Sequence, residues 1–170
     1  MQRRGARYAQ TVSDEYETSM SVPLDTEGFL RRECPTCERE FKWLPSQQDS
    51  DAEDREATPM PEGGYFCPYC AVQAPGDAWF SKAQLDLAKA ILMQEVVEPE
   101  LKKLDDAASR TSGGFIEIRV ERDEPEEPQP LTEADDMRRV DFTCHSSEPV
   151  KVLDAWTGQV HCLICGQPAS

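Results

Sequence analysis

The chain has 170 residues and a formal net charge of -15, and only 38% of it is hydrophobic. A large single core is therefore excluded, and a small domain short of apolar surface needs a metal or disulfides to hold it. The charge also disfavours a long-range attraction to nucleic-acid phosphates.

The acids are concentrated. Positions 45–64 carry six acids and one base, and positions 121–136 carry eight acids and one base. These two stretches hold 12 of the 15 excess negative charges (5 and 7). Seven cysteines, six of them in Cys-x-x-Cys pairs, fit metal ligation in a reducing cytoplasm better than a disulfide framework. No apolar h-region follows the basic start, and no apolar run approaches the roughly 18 residues of a membrane span.

In chain order, residues 1–27 read as a disordered, polar lead, with Met20 as an alternative start. Structure is expected from Phe29, as a hairpin of strands 29–33 and 39–43 around Cys34-Pro35-Thr36-Cys37. Residues 28–80 thus form a first unit, interrupted by an acidic insertion at 45–64 that Gly63-Gly64 closes. A second hairpin carries Cys67-Pro68-Tyr69-Cys70, with 29 residues between Cys37 and Cys67.

A helical segment over 81–110 begins with a capping box, Ser81 and Gln84, which satisfies two backbone donors at once. Leu85, Ala88, Leu92 and Val96 recur at helical spacing, widened by Leu87 and Ile91. Pro99 is expected to kink or divide the helix. A strand is expected over 115–122, where Ile116, Ile118 and Val120 alternate with charged residues. The acidic, proline-rich stretch 123–136 reads as a linker. Residues 137–170 form the last unit, with Cys144, a return strand at Val150 and Val152, and Cys162-Leu163-Ile164-Cys165-Gly166.

Two metal sites are expected. Cys34, Cys37, Cys67 and Cys70 supply four thiolates that can close a tetrahedral structural site. Glycine, which tolerates positive φ, often follows such a turn, but Glu38 and Ala71 stand there instead. The second site has Cys144, Cys162 and Cys165, with 17 residues between Cys144 and Cys162. Its fourth ligand is read as His145, with His161 or a water as alternatives. Neither site is expected to be catalytic, because no general base accompanies an open metal position. Arg31, Arg32, Arg39 and Lys42 flank the first turn and are the candidates for contacting phosphates.

At Cys34-Pro35-Thr36-Cys37 and Cys67-Pro68-Tyr69-Cys70 the chain resembles the zinc ribbons of transcription factors, RNA-polymerase subunits and rubredoxin-like modules. The whole chain is also similar to bacterial, actinobacterial-type proteins with paired zinc ribbons. The resemblance implies two zinc ions, with iron as the alternative that rubredoxin-like modules allow, and implies no particular activity. The expected fold is a small, metal-stabilised α+β protein: two zinc-ribbon hairpin units joined by a helix and a strand. The expected function is a non-enzymatic, cytoplasmic adaptor that binds a protein partner, for which a basic one would suit. The alternative is a transcription-related ribbon that contacts nucleic acid through Arg31, Arg32, Arg39 and Lys42. Salt dependence separates the two, since phosphate binding weakens steeply with ionic strength.

Overall fold

The computed structural model describes residues 5–13, 16–45, 58–111 and 128–169. The expected strand at 115–122 and most of the acidic insertion lie outside those residues. Within them the chain is a small mixed α+β protein of antiparallel sheets and one helical run.

The first two strands, β1 (Gly5–Ser13) and β2 (Tyr16–Pro23), pair antiparallel within the stretch expected to be a disordered lead. That expectation is corrected here. The missed signal is a period of two at the end of β2, where Met20 and Val22 are buried and Ser19 and Ser21 exposed. A short polar strand needs only one such face to join a core.

The central element is a four-stranded sheet built from β3 (Leu30–Glu33), β4 (Glu40–Trp43), β7 (Met137–Val140) and β8 (Val150–Leu153), in the order β3-β4-β8-β7. The β3–β4 hairpin is the one expected around Cys34 and Cys37. The pairing of β4 with β8 was not expected: Lys42 faces Lys151 and Trp43 faces Val150 in register. The amino-terminal and carboxy-terminal cysteine units therefore share one sheet rather than standing as separate modules. A third, two-stranded sheet, β5 (Tyr65–Phe66) with β6 (Gln73–Ala74), carries Cys67 and Cys70.

The two faces of the four-stranded sheet differ. On one, Leu30, Phe41, Trp43, Val150 and Val152 are buried. Trp79 and Tyr65 pack over them, with ring centroids 5.6 Å from Phe41 to Trp79 and 5.1 Å from Trp43 to Tyr65. Each such aromatic pair adds about 0.5–1.5 kcal/mol beyond its buried area. On the other face the register aligns four cations, Arg31, Lys42, Lys151 and Arg139, one on each strand. Like charges directly opposite one another are destabilising, so this row must be neutralised.

Acids from four places in the chain neutralise it. Lys151 Nζ lies 2.7 Å from Asp25 and 2.7 Å from Glu27. Lys42, 0% exposed, lies 2.8 Å from Glu133 and 3.5 Å from Asp25, and donates to the Ala134 carbonyl. Arg31 reaches Glu40 at 2.8 Å, Glu133 at 2.8 Å and Asp136 at 2.6 Å, and Arg139 reaches Asp141 at 2.7 Å. The part of the acidic stretch expected to be a free linker, 131–136, is thus docked on the sheet. Its composition is that of a linker, but the cations opposite give its carboxylates a partner.

The helical run consists of α1 (Lys82–Leu92), a π-helical turn at Met93–Val97, and α2 (Glu98–Thr111). Both arms of the Ser81–Gln84 capping box form, at 3.3 and 3.1 Å. Pro99 lacks an N–H and its ring crowds the carbonyl four residues back. The wider π turn lies immediately before it, and the run continues past the proline. The inward residues are Gln84, Leu87, Ala88 and Ile91, whereas Leu85, expected in the apolar stripe, is exposed. Buried Gln84 sets that rotation by donating to the Arg31 carbonyl at 2.8 Å.

Candidate metal centres

Each Cys-x-x-Cys turn is built by the same hydrogen bonds. The residue after the second cysteine donates its N–H to the carbonyl of the first: Glu38 to Cys34 at 2.9 Å, Ala71 to Cys67 at 3.0 Å, and Gly166 to Cys162 at 2.8 Å. The first cysteine in turn donates to the residue beyond, Arg39, Val72 and Gln167 respectively. That closure places residue 38, 71 or 166 at positive φ, of 55°, 56° and 70°. Glycine takes this conformation freely, while Glu38 and Ala71 adopt it at a cost of roughly 1–2 kcal/mol. The departure seen in the sequence therefore changes the energy of the turn and not its shape.

The turn also aims amides at sulfur. Thr36 N and Cys37 N each lie 3.4 Å from Cys34 Sγ, and Tyr69 N lies 3.3 Å from Cys67 Sγ. The amides of Ile164 and Cys165 serve Cys162 in the same way.

The first centre joins Cys34, Cys37, Cys67 and Cys70, whose sulfurs all lie within 4.8 Å of one another. Cys34 to Cys70 and Cys37 to Cys67 are both 3.8 Å apart. A disulfide would require about 2.05 Å. Metal–sulfur bonds of about 2.3 Å in a tetrahedron require an edge of about 3.8 Å, which is the spacing found. Cys34 and Cys67 are buried, and burial pushes the Cys67 thiol far above its ordinary range, with Cys34 nearby adding to the effect. Four thiolates gathered in such a place would need a cation's charge beside them, and the cluster could hold a metal ion that supplies it.

The second centre joins Cys144, His145, Cys162 and Cys165, again within 4.8 Å. Cys144 and His145 come from the loop after β7, and the other two from the last turn. His145 Nδ1 lies 3.5 Å from Cys162 Sγ, and Cys144 Sγ lies 3.5 Å from Cys165 Sγ. Metal–nitrogen bonds of about 2.0–2.1 Å beside metal–sulfur bonds of about 2.3 Å give an edge of about 3.5 Å. Although adjacent in sequence, Cys144 and His145 reach toward different partner cysteines. Burial, reinforced by Cys144 and Cys165, pushes the Cys162 thiol up to about 12. His161 is placed elsewhere: its backbone N–H donates to the Pro68 carbonyl at 2.9 Å, and its Nδ1 lies 3.3 Å from the same oxygen.

Of the candidate phosphate-binding residues, Arg31, Arg32 and Lys42 are engaged internally, while Arg39 is exposed. Arg31 and Lys42 belong to the ionic row. Arg32 is buried, reaches Gln84 Oε1 at 3.3 Å, and stacks over Trp43 and Phe80 at 5.1 and 4.8 Å. Arg39 lies 5.1 Å over the Trp156 ring.

Sequence reasoning missed how Tyr69 and Trp156 tie the two units together. Tyr69 Oη donates to the Glu40 carbonyl at 2.7 Å and accepts from Leu153 N at 3.0 Å, and its ring meets Trp156 edge-on at 5.0 Å. No local pattern marks a tyrosine inside a cysteine turn as a bridge between β4 and β8. Comparison with known family models, curated proteins and solved structures returns no match for this chain.

Proposed function

We propose that the protein is a non-enzymatic adaptor in which two structural zinc ions hold a ribbon-type sheet and the helical run docks a protein partner. The observation that carries the reading is the outer face of that run. Leu85, Met93 and Leu104 are 54%, 41% and 65% exposed on a chain that has few apolar residues to spare. Exposed apolar side chains along one helical run offer surface that a partner's apolar side chains would remove from water.

The donor sets support zinc. Four thiolates, or three with one imidazole, suit its tetrahedral preference and make closed sites of the structural kind. A redox-silent ion also suits centres that brace a sheet. The internal pairing of Arg31, Arg32 and Lys42 weighs against the nucleic-acid alternative, as does the net charge of -15. Among the described residues no helix is long and apolar enough to cross a membrane.

The test is affinity capture from host lysate with the full chain and with a Leu85→Asp, Leu104→Asp variant, each treated with nuclease. A protein partner that survives nuclease and about 0.5 M salt, and that the variant loses, is the expected result. Capture abolished by nuclease, or retained unchanged by the variant, would overturn the reading.

A further inference from the structure

The two turns Cys67–Cys70 and Cys162–Cys165 belong to different metal centres, yet they are hydrogen-bonded to each other. Phe66, the residue before Cys67, donates its N–H to the carbonyl of Leu163, the residue after Cys162, at 2.9 Å. His161, the residue before Cys162, donates to the carbonyl of Pro68, the residue after Cys67, also at 2.9 Å. The exchange is reciprocal, so each turn occupies the same place against the other. The packing is close too: a methyl group on Gly166 would lie 2.9 Å from Phe66 Cδ1.

These are the backbone segments that metal binding must order. The donor for each interturn bond sits one residue from a ligand cysteine, and so does the acceptor. An ion that fixes one turn therefore fixes half of the hydrogen-bonded surface on which the other is built. Tyr69 and the pairing of β4 with β8 extend the same link into the sheet.

We infer that the two centres load metal cooperatively, with the paired turns as the coupling element, so that the protein passes between an empty and a doubly loaded form. The inference rests on the zinc reading above and adds a regulatory property to it. Occupancy then rises with free zinc more steeply than two independent sites allow. Coupling of this kind is worth about 5–150-fold in affinity and is reciprocal between the sites.

The experiment is competition of the zinc-loaded full chain against a coloured chelator, with ion stoichiometry followed by native mass spectrometry. Wild type is expected to lose both ions in one step, with little singly loaded species. In His145→Ala, which removes a ligand of the second centre only, the Cys34–Cys70 centre is expected to release its ion at about 5–150-fold lower chelator activity. Phe66→Pro leaves all eight ligands in place, removes the N–H that donates to the Leu163 carbonyl, and is expected to split the single release step into two. It keeps the test decisive if His145→Ala does not fold. Two separate steps in wild type, or a His145→Ala first centre unchanged within about twofold, would overturn the coupling. A wild-type chain that holds no zinc at all would instead overturn the zinc reading beneath it.

Discussion

The first metal centre takes its four ligands from two turns set against the aromatic core, whereas the second takes two of its four from an open loop. Cys34 and Cys67 are buried beside Phe41, Trp43 and Trp79, while Cys144 is exposed to solvent. The three Cys-x-x-Cys turns share the same two closing backbone hydrogen bonds. What separates the centres is thus not the chemistry of the knuckle but what surrounds it. An ion held at the first centre would brace the core, and one held at the second would pin a loop to it.

Breaking the first centre should have the largest effect. Structural zinc contributes roughly 10–16 kcal/mol to the folding of small domains, as much as the roughly 5–15 kcal/mol by which whole domains are stable. Cys67→Ser is therefore expected to leave the chain unfolded, read as collapse of the dispersed amide signals in its NMR spectrum. Cys144→Ser is expected to keep a folded chain with one ion fewer, measured by native mass spectrometry and circular dichroism. Equal loss of fold in both variants would erase the distinction.

The sheet that carries both centres can be weakened without touching either. Asp25 sits between the cations of Lys151 and Lys42, at 2.7 and 3.5 Å. Removing one partner of a buried ion pair costs about 3–5 kcal/mol, so Asp25→Ala should lower the melting temperature while both ions stay bound. Burial alone would raise the Asp25 pKa, but the bond to Lys151 and the amides of Phe29 and Glu27 outweigh it and hold it below its ordinary value. A carboxylate depressed in the folded state stabilises above its unfolded pKa of about 3.9 and loses that contribution as pH falls below it. Burial pulls Lys151 down, yet Asp25 and Glu27 raise it above its ordinary value. Its contribution is complete below about pH 10.4 and is lost as pH rises further. The wild type should therefore exceed Asp25→Ala in thermal stability across neutral pH, and the difference should shrink below about pH 4.

The smallest effect comes from the turns themselves. Ala71 holds φ at 56°, a conformation that costs an alanine roughly 1–2 kcal/mol and that glycine adopts at a lesser entropic cost of about 0.5–1 kcal/mol. Ala71→Gly should raise stability by about 0.5–1 kcal/mol. Gly166→Ala should lower it by more, because the new methyl would also press on Phe66 at 2.9 Å. Denaturant melts of the two variants read both signs.

The local half of this molecule was legible. The Cys-x-x-Cys spacing, the alternation of Phe41 and Trp43 with Lys42, and the Ser81–Gln84 pair each report on neighbours a few residues away. They located the first hairpin, the cysteine clusters and the start of the helix. The docking of β4 on β8 joins residues more than a hundred positions apart and depends on a register that no local window contains. The ionic row follows from that register. Arg31, Lys42, Lys151 and Arg139 look like solvated or phosphate-seeking bases until four strands bring them into line. The acids at 133 and 136 likewise look like linker until those bases stand opposite. Met20 and Val22 were hidden by the polarity of the strand around them.

The most direct test of this account is the metal content of the purified full chain under native conditions, with thiol accessibility followed in parallel. Two zinc ions per chain are predicted, with all seven cysteines protected from alkylation until a chelator is added. A chain that carries no zinc, or that folds with disulfides and stays folded in chelator, would contradict it.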